Sequence, residues 1–101
     1  MNSRNHLGAY GELYVTNYLL ENGMEVFRNV APSGPADLIA WNKETGKTVL
    51  IDVKCVRDPY IRKDGSYSLP KNPQWSDGIA VVVYVHGEVA VRLPDGFWEA
   101  L

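Results

Sequence analysis

Ala36-Asp37-Leu38-Ile39-Ala40-Trp41, a polar turn over residues 42–47, and Thr48-Val49-Leu50-Ile51-Asp52-Val53-Lys54-Cys55-Val56 are the stretch that decides how this chain is read. The second apolar run alternates with the period of a β-strand. Val49, Ile51, Val53 and Cys55 fall on one face, and Leu50, Asp52 and Lys54 on the other. Two opposite charges therefore point the same way from one strand. Residues 36–41 read as a second strand, apolar except for Asp37, and Gly46 suits the turn between the two.

Ionised carboxylates in segments otherwise fit for burial are costly, and they shift toward the neutral form unless something compensates them. Asp37 and Asp52 both stand in such segments. Glu12, on a largely apolar helix, has the same difficulty. A divalent cation such as Mg²⁺ resolves it, because carboxylate oxygens are its preferred ligands. Lys54, beside Asp52 on one face, supplies a fixed positive charge that can hold a water near a phosphate or offset charge in a transition state.

The remainder of the chain is read from these strands outward. Upstream, Ser3 is placed to cap a helix running to about Asn22, with Gly23 as its C-terminal stop. Gly8, Val15 and Leu19 recur near helical spacing, and Leu7, Leu13, Tyr14, Tyr18 and Leu20 widen the apolar face. Gly8 and Gly11 are poor helix formers, which points to close helix–sheet packing. Residues 24–31 read as a strand, broken by Pro32-Ser33-Gly34-Pro35. Downstream, residues 57–78 form a long connection, with a helical turn expected near 73–77. Residues 79–85 read as a buried strand, and residues 88–93 return after a turn at His86-Gly87. Pro94-Asp95-Gly96 turns the chain again, and Phe97 and Trp98 are expected to pack the tail onto the body.

The 101 residues suit a single domain, 1–101, with one modest core, and 46% of them are hydrophobic. No apolar run is long enough to span a bilayer, and no secretory leader is read at the N-terminus, so a cytoplasmic location is expected. Cys55 is the only cysteine, which excludes an internal disulfide, and it reads as a small core residue. His6 and His86 are not read as metal ligands. Trp41 and Trp98 read as core or interface, and Trp75 stands in the basic loop. The net charge is −2 and the pI about 5.6, acidic for a nucleic-acid binder. Positive charge is nonetheless concentrated: Lys54, Arg57, Arg62, Lys63 and Lys71 stand against only Asp58 and Asp64, a local +3 that can attract a polyanion.

The order helix with Glu12, strand with Asp37, turn, strand with Asp52-Val53-Lys54 resembles the PD-(D/E)XK nuclease signature. Gly8-Ala9-Tyr10-Gly11-Glu12 is similar to the acid-donating helix of that superfamily's small Holliday junction resolvase branch. The resemblance covers about the first half of the chain. Two positions depart from the pattern: the proline stands one residue early, as Pro35-Ala36-Asp37, and the third acid is Asp52 where Glu is commoner. The resemblance implies an α/β fold with a restriction-endonuclease-like core, the N-terminal helix packed on a mixed central β-sheet. It also implies Mg²⁺-dependent cleavage of DNA, with Mn²⁺ as a substitute. Glu12, Asp37 and Asp52 would be the metal ligands and Lys54 the catalytic lysine, with Gln74 and Ser68 as accessory residues. Arg57, Arg62, Lys63 and Lys71 are the candidate DNA contacts. A structure-selective endonuclease acting as a homodimer on branched or duplex DNA is the first expectation. A sequence-directed enzyme of homing or restriction type, reading bases with residues such as Arg57, Arg62, Lys71, Asn72 and Gln74, is the second. A non-catalytic nucleic-acid-binding subunit of the same fold is the third.

Overall fold

The structure is a computed structural model that describes residues 4–31, 36–68 and 79–101. Helix α1 spans Arg4–Glu21, and five strands follow: β1 Glu25–Arg28, β2 Leu38–Trp41, β3 Thr48–Arg57, β4 Ile79–His86 and β5 Glu88–Arg92. A 3-10 turn at Trp98–Ala100 closes the chain. The expected cap Ser3, the break at 32–35, the helical turn near 73–77, and Lys71, Asn72, Gln74 and Trp75 lie outside the described residues.

The strands form one mixed sheet in the order β1-β2-β3-β4-β5. Neighbours run antiparallel except β3 and β4, which are parallel. A parallel pair needs a long return connection, and residues 58–78 provide it. Its described part folds into a small hairpin, in which Ile61 bridges Tyr67 and the Arg62 amide donates to the Ser66 carbonyl. The tight β2–β3 and β4–β5 turns place Gly46 and Gly87 at positive φ, a conformation that disfavours residues with a Cβ.

The core lies between α1 and one face of the sheet. It unites Val15 and Leu19 of the helix with Leu38, Ala40, Val49, Ile51, Val81 and Val83, and with Phe97 and Leu101 of the tail. Phe97 thus packs as expected, whereas Trp98 is partly exposed, its ring 5.1 Å from Phe97 and 6.1 Å from Tyr18. The β3 alternation is as read: Val49 and Ile51 face the core and Leu50 faces away. β4 is buried on both faces from Val81 to Tyr84, as suits a strand paired in parallel inside a sheet.

The helix presents a narrower face than its composition suggests. Gly11, Val15 and Leu19 are buried at four-residue spacing, but Leu13 and Leu20 are 61% and 51% exposed. Leu13 stands two residues from Val15, roughly 200° around a helix of 3.6 residues per turn, so it cannot share that face. At the other end, the Met24 amide donates to the Leu19 carbonyl and the Gly23 amide to the Leu20 carbonyl. With Gly23 at φ +82°, these bonds stop the helix at the residue the sequence marks.

Candidate active site

Asp37 stands one residue before β2 and is bound to β3 at two points. Its amide donates to the Ile51 carbonyl at 2.9 Å, and its Oδ2 accepts the Val53 amide at 2.7 Å. Asp37 therefore grips the two residues that flank Asp52. Its own carbonyl accepts the Asn29 amide, and the Asn29 Nδ2 donates to the Ala36 carbonyl, so Asn29 fixes the approach to the site. Asn29 carries no motif, which is why sequence reading passes over it.

Asp52 is 5% exposed, on the sheet face away from the core. Lys54 Nζ lies 3.6 Å from Asp52 Oδ2. Their separation by two residues on one strand puts both on that face, as the alternation requires. The pairing makes burial of the carboxylate tolerable, since a buried charge persists when an opposite charge is close.

Glu12 comes from the opposite layer. Close approach of α1 to the sheet is set at Gly11, where a Cβ would fall 2.8 Å from Cys55 Cβ and 3.3 Å from its Sγ. Cys55, expected in the core, is partly buried against it, and burial pushes its thiol pKa up. Gly8 meets nothing within 4 Å, so the close packing expected of both glycines belongs to Gly11 alone. Glu12 lines a small cleft of about 70 Å³ with Ala9, Leu13, Thr16, Arg28 and Leu38. Burial raises its carboxyl above the ordinary glutamate value; Asp37 and Asp52 raise it further, and Arg28 opposes them. Arg28 Nε lies 3.9 Å from Glu12 Oε1. Glu12 of α1 thus senses Asp37 at the start of β2 and Asp52 in the middle of β3. Arg28 was not among the residues singled out, because a cation at the end of a strand carries no signal of its own.

Among the described residues, no group of three or more His, Cys, Asp and Glu side chains is arranged to hold a metal ion. Glu12 lies within the electrostatic reach of Asp37 and Asp52. Their donor chemistry, all carboxylate oxygen, is the type that hard divalent cations use. The bond from Val53 engages one oxygen of Asp37, and a carboxylate keeps further acceptor capacity beyond a single bond.

The remaining predicted residues are dispersed. The Ser68 carbonyl accepts Tyr84 Oη–H at 3.1 Å, which ties the loop to β4. Arg57, Arg62 and Lys63 are exposed, and Arg62 Nη1 lies 3.4 Å from the Tyr67 carbonyl. His6 is exposed, and His86 Nδ1 lies 3.3 Å from Asp58 Oδ1. No helix among the described residues is long and apolar enough to cross a membrane.

Among solved structures, the chain is similar to the bacterial homing endonuclease I-Ssp6803I, with a TM-score of 0.61 and 18% identity over 97% of this chain and 74% of that one. At that identity the likeness is one of fold. In outline this is the expected α/β core, with an N-terminal helix on a mixed sheet. No protein-family model matches the chain, and no curated protein matches it.

Proposed function

We propose that this nuclease-like chain is a Mg²⁺-dependent DNA endonuclease, with Glu12, Asp37 and Asp52 as metal ligands and Lys54 as the catalytic lysine. Mn²⁺ would substitute. One observation carries the reading: Asp37 is bonded to both neighbours of Asp52, whose buried carboxylate has Lys54 at 3.6 Å. The pKa of Glu12, raised first by burial and then by Asp37 and Asp52 against the pull of Arg28, adds the third acid to the same field.

A bound divalent cation would supply a water of lowered pKa and polarise the phosphoryl oxygens. The chain's own groups do the rest. Hydrolysis would add one water across the P–O ester bond, its hydroxyl going to phosphorus and its remaining proton to the leaving oxygen. Lys54, with its Nζ 3.6 Å from Asp52 Oδ2, offsets the charge that builds on the phosphoryl oxygens. Asp37 holds the start of β2 against β3, so that Asp52 and Lys54 keep their spacing.

Within this activity we propose structure-selective cutting of branched DNA by a homodimer, as two strands must be cut and each chain offers one such site. The Gly8-Ala9-Tyr10-Gly11-Glu12 segment supports it. A second reading, sequence-directed cutting of duplex DNA, is favoured by the likeness of the fold to a homing endonuclease.

The test is cleavage of a labelled four-way junction, a matched linear duplex and a single strand, with Mg²⁺ or with EDTA. Wild type should cut only with Mg²⁺, and Lys54→Ala should lose roughly 10²–10³-fold in rate, the usual effect of removing one charge-stabilising group. Cutting of the junction alone supports structure selectivity, and a single cut in long linear duplex supports the second reading. A Lys54→Ala protein that cuts at the wild-type rate would overturn the assignment of roles.

A further inference from the structure

A second feature lies on the same sheet face as Lys54. The hairpin at 61–67 leans over β4 and β5 and leaves a cleft of about 340 Å³, lined by Arg62, Ser66, Tyr67, Tyr84, Ala90 and Arg92. Among the described residues, no acidic side chain lines it. Among the described residues Arg92 enters no ion pair. The nearby acid of the hairpin, Asp64, accepts both the amide and the hydroxyl of Ser66 through Oδ1, and its charge also interacts with Arg62, which leaves Arg92 as the cation of the cleft with no acidic partner among the described residues.

The cleft is built rather than incidental. The ring of Tyr67 lies 4.9 Å from that of Tyr84, which is buried, and Tyr84 Oη donates to the Ser68 carbonyl. Asp58 and His86 hold the near end of the loop to the end of β4. Arg62 is braced over the hairpin at the Tyr67 carbonyl. The two arginines come from separate elements, a loop and an edge strand, yet line one opening.

The strand register relates this cleft to the candidate active site. Lys54 pairs with Val82, and Val82 pairs with Arg92. Residues paired across a sheet project from the same face, so Lys54, Val82 and Arg92 form one row across β3, β4 and β5. Strands lie about 4.8 Å apart, so the Arg92 backbone sits roughly 10 Å from that of Lys54.

We propose that the Arg62–Arg92 cleft binds backbone phosphates of the nucleic-acid strand that flank the bond held at Lys54. This rests on the endonuclease reading and adds to it a positioning site. Guanidinium groups suit phosphate oxygens through paired N–H donors, and contacts to phosphate fix register without reading sequence. Arg92 is the new assignment, since it lies outside the basic segment between Lys54 and Lys71.

The test is fluorescence anisotropy of a labelled four-way junction and a labelled linear duplex, with Ca²⁺ replacing Mg²⁺, across a series of salt concentrations. Wild type, Arg92→Ala, Arg92→Lys, Arg62→Ala and Lys43→Ala are compared. Lys43 is a control cation, paired with Glu25 at 3.0 Å in the β2–β3 region. Arg92→Ala should weaken binding about tenfold on both substrates and lower the slope of log affinity against log salt by about 1, the signature of one lost phosphate contact. Arg62→Ala should act in the same direction, Arg92→Lys should recover most of the slope, and Lys43→Ala should change neither quantity. Wild-type binding with an unchanged slope in Arg92→Ala overturns the cleft while leaving the endonuclease reading in place. A wild type that binds no DNA overturns that reading, and the cleft with it.

Discussion

The carboxylate of Asp37 accepts the Val53 amide at 2.7 Å and so links the start of β2 to the middle of β3. Its acid type is needed for metal ligation in the proposed reaction, but the hydrogen bond needs only an acceptor. The two roles separate by substitution. Asp37→Asn keeps an acceptor oxygen and should remain within about 1 kcal/mol of wild-type stability, whereas Asp37→Ala should lose about 1.5–3 kcal/mol, the usual contribution of a hydrogen bond to a charged group. Urea unfolding measures both, and equal losses would show that the bond does not hold β2 in place. Cleavage should fail in both variants. The aspartate itself is conspicuous in the sequence as the one acid in an apolar run. Its partner amide is not, because a backbone donor has no residue type to reveal it.

Among the elements, β3 and α1 differ in how plainly the sequence describes them. The period of two in β3 separates Val49 and Ile51 from Leu50 without ambiguity, and the register with β2 and β4 follows it. In α1 the apolar residues surround the axis, and only packing selects the Gly11-Val15-Leu19 stripe. Gly11 is the sharpest consequence. A methyl there meets Cys55 Cβ at 2.8 Å, a rigid neighbour on β3, whereas one at Gly8 meets open space. Gly8→Ala should therefore stabilise the protein by up to about 1 kcal/mol through helix propensity. Gly11→Ala should destabilise it by up to about 2 kcal/mol, the overpacking cost of roughly 1–3 kcal/mol less the same propensity gain. Comparable stability of the two variants in urea would show that helix and sheet stand further apart than this.

At the scale of the whole molecule, the field around Glu12 exists only once α1, β2 and β3 have assembled. Burial first, and then Asp37 and Asp52, raise its pKa above that of the unfolded chain, against the pull of Arg28. The folded state therefore binds the proton more tightly. Below the unfolded glutamate value, about 4.3, both states are protonated and Glu12 carries no penalty. As pH rises through the raised folded value, ionisation costs stability that does not return at higher pH. Glu12→Gln should thus melt higher than wild type at pH 7 in EDTA, and the gap should close as pH falls below the ordinary glutamate range. A gap of equal size at both pH values would assign the effect to packing. With Mg²⁺ present, the proposed ligation should raise the wild-type melting temperature and leave Glu12→Gln with a smaller gain.

The sequence by itself determined the strands, because their period and turn residues are local properties that each segment carries alone. It also marked Glu12, Asp37, Asp52 and Lys54, because charge inside an apolar run is visible without coordinates. Only the tertiary structure decided which side of α1 is inside, since an apolar surface that wraps the axis has no preferred face until a partner packs on it. It alone decided that Asp37 brackets Asp52, that Arg28 meets Glu12, and that Arg92 stands in one row with Lys54. Those relations join elements distant in the chain, and they are fixed by strand register and by one close helix contact.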